Sequence, residues 1–163
     1  MSASNGSHPI LAKFISSTHL ISEQDRLLTL LAAHAAHGDL KSLELDWQHL
    51  ISENRLAGIE AVLQTHLIAG YPRTINALNR LKELDPQYEL YLLKDARHPT
   101  QWVTDGEKLC AEIYGVQYPA VRTKMHNLHS DLDCWMVEMG YGRVLARPGL
   151  EPRLRELCVL SVL

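Results

Sequence analysis

Apolar positions recur along this chain at the three- and four-residue spacing of helices, and turn residues interrupt them at short intervals. Ser22 with Asp25 marks an N-cap ahead of Leu27, Leu28, Leu30 and Leu31, and Gly38 closes that helix. Asp39 can cap the next, in which Leu40, Leu43, Trp47, Leu50 and Ile51 make one apolar face. A third helix carries Ile59, Val62, Leu63, His66 and Leu67 on one stripe and ends near Gly70. Pro72 then sits at the first turn of a fourth, with Ile75 and Leu78. Residues 85–103 hold Asp85-Pro86, Pro99 and scattered aromatics, and they read as a connector. Thr104 with Glu107 has the capping-box pattern for a helix through Leu109 and Ile113, closed by Gly115. Pro119 opens a helix with Val121, Met125 and Leu128. Ser130 is placed to cap one with Leu132, Trp135, Met136 and Met139 that ends around Gly140-Tyr141-Gly142. After Pro148-Gly149, Pro152 opens a last run, apolar at Leu157, Cys158, Val159, Leu160, Val162 and Leu163. An end this apolar needs a cover: its own core, another subunit, or further chain.

Composition supports the helical pattern. The 28 Leu outnumber the 16 Ile plus Val, which favours helix over strand. We therefore expect an all-α protein of antiparallel helical hairpins. With 163 residues, 46% hydrophobic and 21% charged, the chain has enough apolar content for one packed core. A net charge of −3 gives no basic footprint for nucleic acid or an anionic membrane, so neither is expected as a partner. No apolar run reaches the length of a membrane span. The three cysteines form no Cys-x-x-Cys pair and the first ten residues lack a signal-peptide pattern, so a cytoplasmic location is expected. Two HxxH pairs, His34/His37 and His126/His129, could each share a metal with help from Asp131 or Asp133 in the second case. No third ligand follows at a recognisable spacing, so no metal and no cofactor are expected.

Two stretches carry a family resemblance. Residues 61–78, AVLQTHLIAGYPRTINAL, resemble the end of a carboxymuconolactone decarboxylase/alkyl hydroperoxidase D-like domain, with its helix, AGxP turn and second helix. Residues 135–158, WMVEMGYGRVLARPGLEPRLRELC, resemble the entry into such a domain, a GxVxxRPGL turn feeding a helix that begins RELC. The ending motif comes first and the opening motif last. The resemblance thus implies two pseudo-repeats: a loose leader over 1–21, a divergent first copy over 22–84, connector and helices over 85–129, and the start of a second, incomplete copy over 130–163.

The resemblance implies a decarboxylase-like lyase acting on a small acidic organic substrate, working alone as a homo-oligomer or with a chain that completes the second repeat. Its alternative is a peroxiredoxin-like hydroperoxide reductase whose cysteine pair lies outside this chain, since only the glutamate position, Glu156, is matched here. A third possibility is a non-catalytic helical assembly or binding protein. Decarboxylation of a lactone acid needs an electron sink and a proton donor for the developing carbanion. Glu60, His66 and Glu156 are the acid–base candidates; Tyr71, Arg147 and Arg155 are the candidates for holding the substrate. Arg143, with Arg147, flanks the GxV turn where a carboxylate could sit. Tyr88, Tyr91, Trp102, Tyr114 and Tyr118 are further residues able to line a pocket. Cys158, set among Leu157, Val159 and Leu160, has the surroundings of an inert buried thiol.

Overall fold

A computed structural model describes residues 21–163, and all but the last residue of the expected leader lie outside the described residues. The described chain is 81% helical and contains no strand, so the protein is all-α. Helix α1 spans Glu23–His37; the Ser22 hydroxyl accepts from the Asp25 amide at 3.1 Å, and Gly38 ends the helix at φ 77°. Asp39 accepts from the Ser42 amide and starts α2, Leu40–His49. Helix α3 covers Arg55–Leu63 and α4 covers His66–Ala69. The expected unbroken stripe from Ile59 to Leu67 is therefore interrupted at Gln64-Thr65. There the Thr65 hydroxyl donates to the Val62 carbonyl at 2.7 Å and shares a 2.9 Å hydrogen bond with Thr74. Such local side-chain bonding competes with the helix ladder. Helix α5, Tyr71–Leu84, begins after Gly70, whose φ of 80° and ψ of 163° suit only glycine.

These helices enclose a core built on Leu27, Leu31, Leu43, Trp47, Val62 and Leu81. The last helix, α9 (Pro152–Val162), returns to this core and packs along α1. Cys158 is fully buried there, Leu154 and Val162 pack beside it, and the Ser161 hydroxyl donates to the Thr29 carbonyl at 3.0 Å. The apolar last run is thus covered on one side by α1, while Leu160 and Leu163 remain exposed.

A second layer is formed by α6 (Pro99–Tyr114), α7 (Tyr118–Leu128) and α8 (Ser130–Trp135). Helix α6 starts five residues before the Thr104 expected to cap it. His98 is the N-cap, the Gln101 side chain accepts from the His98 amide at 2.7 Å, and Pro99 takes the first turn. His129 rather than Ser130 caps α8, its ring accepting from the Asp131 amide. The chain also does not turn at Gly140–Gly142. It continues from α8 as a π-helix over Met136–Leu145, ending with the Ala146 amide donating to the Tyr141 carbonyl at 2.7 Å. Two glycines make this possible. A Cβ on Gly142 would lie 1.8 Å from the Trp102 carbonyl oxygen, and one on Gly106 would lie 2.1 Å from that of Val137, so α6 and the π-helix touch backbone to backbone.

Candidate functional site

Glu60 lies on α3, 2% exposed, among Ile59, Ala61 and Val62. A carboxylate buried this deeply must be paired, and both of its oxygens are. Arg147 donates to them from Nε at 2.9 Å and from Nη2 at 2.8 Å, and Arg155 donates from Nη2 at 3.0 Å. Arg155, 3% exposed, also donates to the Gln64 side chain and to the Arg147 carbonyl. Arg147 reaches Asp95 at 3.4 Å, and Asp95 grips Arg97 at 2.8 and 2.9 Å. Arg97 goes on to Asp105 at 2.9 Å and to the Gly142 carbonyl at 2.9 Å, where it meets the π-helix. Hydrogen bonding to Arg97 holds the Asp95 carboxyl below its ordinary range. Bonding to Glu60 raises Arg147, whereas burial lowers Arg155. Both guanidinium groups remain charged. Among the expected residues, Glu60, Arg147 and Arg155 are therefore in direct contact and committed to the network, with Arg155 Nε buried there without a partner.

Beside this network a cleft of about 800 Å³ runs between α4–α5 and the π-helix. Arg147 forms part of its wall, and His66, Tyr71, Trp135, Glu138 and Arg143 line it with aliphatic side chains from both helices. His66 Nδ1 donates to the Leu63 carbonyl at 2.6 Å, which leaves Nε2 as the nitrogen able to take or give a proton. The ring stacks on Tyr71 with centroids 5.0 Å apart. The break at Thr65 places this pair: α4 is a single turn, and Gly70 redirects the chain into α5. On the opposite wall, Glu138 and Arg143 both reach the cleft from the π-helix. The Arg143 guanidinium lies over the Trp102 ring at 4.7 Å, and among the described residues no carboxylate pairs with it.

The other expected residues lie elsewhere. Glu156 is exposed and lines a separate groove of about 380 Å³ with Tyr141, Val159 and Leu160, so it does not join His66. Arg155 belongs to the Glu60 network and also borders that groove. None of Tyr88, Tyr91, Trp102, Tyr114 and Tyr118 lines the His66 cleft. Tyr88 is in the core, and Tyr114 stacks on Tyr118 while sharing a 2.5 Å hydrogen bond with Tyr141. His34 is taken by Asp46 at 2.7 Å. Among the described residues no three His, Cys, Asp or Glu side chains gather as a metal site. Burial pushes the Cys110 thiol up to about 11 and Cys158 up to about 12, which keeps both protonated at neutral pH; Cys134 is exposed. Asp95, Arg97 and Glu138 stand out in no sequence motif, and Trp135 reads there only as part of a helix's apolar stripe. The closely spaced charges of KDAR, inside what reads as a connector, were the available sign of the first two. Comparisons with protein-family models, curated proteins and solved structures find no match for this chain.

Proposed function

We propose that the His66 cleft binds an organic acid and that His66 transfers a proton to or from it, in a reaction of the carboxymuconolactone decarboxylase kind. The observation that carries this reading is a single cleft holding a histidine with one committed nitrogen, and an arginine without a carboxylate partner among the described residues. The resemblance of residues 61–78 and 135–158 supports it further, because these two stretches supply the two walls. Arg143 meets the substrate carboxylate. Loss of carbon dioxide breaks the bond to that carboxyl group and leaves its electron pair on the adjoining carbon, spread toward a conjugated carbonyl of the substrate. Protonated His66 returns a proton to that carbon and becomes neutral. Tyr71 holds the imidazole plane by stacking. Glu60 and Arg155 act as positioning residues, fixing Arg147 and with it the base of the cleft.

Carbon dioxide release from a carboxymuconolactone tests the reaction. Active wild-type protein is expected, with His66→Gln losing about 10²-fold or more in kcat and Arg143→Ala acting mainly on KM. Wild-type protein that neither turns over nor binds any organic acid would overturn the proposal.

A further inference from the structure

The cleft has apolar wall to spare beyond what a one-ring lactone acid would cover. Its volume of about 800 Å³ lies in the range that encloses drug-sized ligands. Its walls include side chains that water reaches freely: Tyr71 is 64% exposed, Trp135 59%, Ile75 51% and Leu67 40%. These four belong to one cleft rather than being scattered, and clustered exposed apolar side chains mark a binding surface. Charge is sparse by comparison, one group of each sign. Arg97, Arg147 and Arg155 are neutralised by Glu60, Asp95 and Asp105, which leaves Glu138 and Arg143 as the charged groups on the π-helical wall. Arg143 is held by stacking on Trp102, so its cationic head is fixed without being cancelled.

Resting on the reading of this cleft as an organic-acid site, we infer that its ligand is an amphipathic carboxylate with an extended apolar body. The head meets Arg143, and the body lies along Trp135, Ile75, Leu67 and the stacked face of Tyr71. Apolar burial and charge complementarity then act at different points of one ligand, so they can be separated experimentally.

The probe is the series acetate, hexanoate and decanoate, with decanol as the uncharged control, each titrated into the full chain by calorimetry. Affinity is expected to rise about threefold to fourfold for each methylene buried, and decanoate is expected to bind at least tenfold more tightly than decanol. Arg143→Ala is expected to remove that advantage while keeping the chain-length series. Ile75→Ser, at a half-exposed position, removes apolar contact without adding charge and is expected to weaken decanoate about tenfold and leave acetate unchanged. Decanoate binding no better than acetate would overturn the inference yet leave the organic-acid reading intact. Decanol matching decanoate would overturn both. A decanoate affinity unmoved by Ile75→Ser would place the apolar body outside this cleft and overturn the inference alone.

Discussion

A glutamate on a helix otherwise buried by Ile59, Ala61 and Val62 costs several kcal/mol to desolvate unless its charge is met. Glu60 is met twice, by Arg147 and Arg155, and the second of these is itself 3% exposed. Each group depends on the others, so removing one charge strands the rest. Glu60→Gln keeps shape and some hydrogen bonding but leaves two buried cations facing a neutral amide. It is expected to lower stability by about 3–5 kcal/mol in urea denaturation. A loss under about 1 kcal/mol would show that water reaches the site and that the pairing is a surface-like one. His66 is constrained differently. Its bond to the Leu63 carbonyl fixes the tautomer, and Tyr71 fixes the plane, so its free nitrogen keeps one direction without any charged partner.

The π-helix Met136–Leu145 is the element that makes the cleft wall, since Glu138, Met139, Arg143 and Val144 line the cleft from it. It depends on contact with α6 at Gly106 and Gly142, where backbones meet with no room for a methyl group. Gly142→Ala is therefore expected to cost at least 1–3 kcal/mol and to displace Arg143 from Trp102, seen as a lower melting temperature with changed tryptophan emission. Gly140 is a control two residues away. A Cβ there meets only the Trp135 carbonyl at 3.9 Å, so Gly140→Ala is expected to be neutral or slightly stabilising. Equal effects at both positions would refute this account of the π-helix. The same contrast explains what was legible in the sequence. Caps at Ser22 and Asp39, the stop at Gly38 and the start at Pro72 are local devices, and each was readable from a few neighbouring residues. The π-helix was not, because GYG reads locally as a turn and only the packing of Gly142 on Trp102 makes it continue. At α6 the Thr104–Glu107 pattern marked a start inside the helix, which His98 caps earlier with Pro99 in its first turn. Glu60, Arg147 and Arg155 were each noticed, but their mutual pairing across roughly ninety residues carries no local mark. Glu156 follows Arg155 directly, yet one residue along a helix turns the side chain to another face: Arg155 is drawn into the Glu60 network, while Glu156 is exposed at the groove that both border.

At the scale of the molecule, a run of ion pairs crosses between the two helical layers. The chain Glu60–Arg147–Asp95–Arg97–Asp105 runs from α3 through the connector to α6, and Arg97 also holds the π-helix through the Gly142 carbonyl. Within the second layer, Arg122 fastens α7 to Asp133 of α8 and to Glu107 of α6. Hydrogen bonding to Arg97 and to Arg122 respectively holds the Asp95 and Asp133 carboxyls below the ordinary range. The unfolded chain takes up those protons at a higher pH than the folded one does. The associated stability is fully present above the unfolded aspartate value, about 3.9, and is lost as pH falls through the depressed folded values. Thermal melts should therefore be flat in this contribution at neutral pH and drop below about pH 4. Asp95→Asn should start lower at neutral pH, having lost its charge opposite Arg97, and then fall less steeply in acid because one titrating group is gone. Asp133→Asn should behave likewise for the α7–α8 corner. The two changes should be close to additive, because the two clusters share no ion pair. An Asp95→Asn curve running parallel to wild type through the acid range would show that Asp95 titrates equally in both states, and that the layers are joined by apolar packing with the ion pairs as passengers.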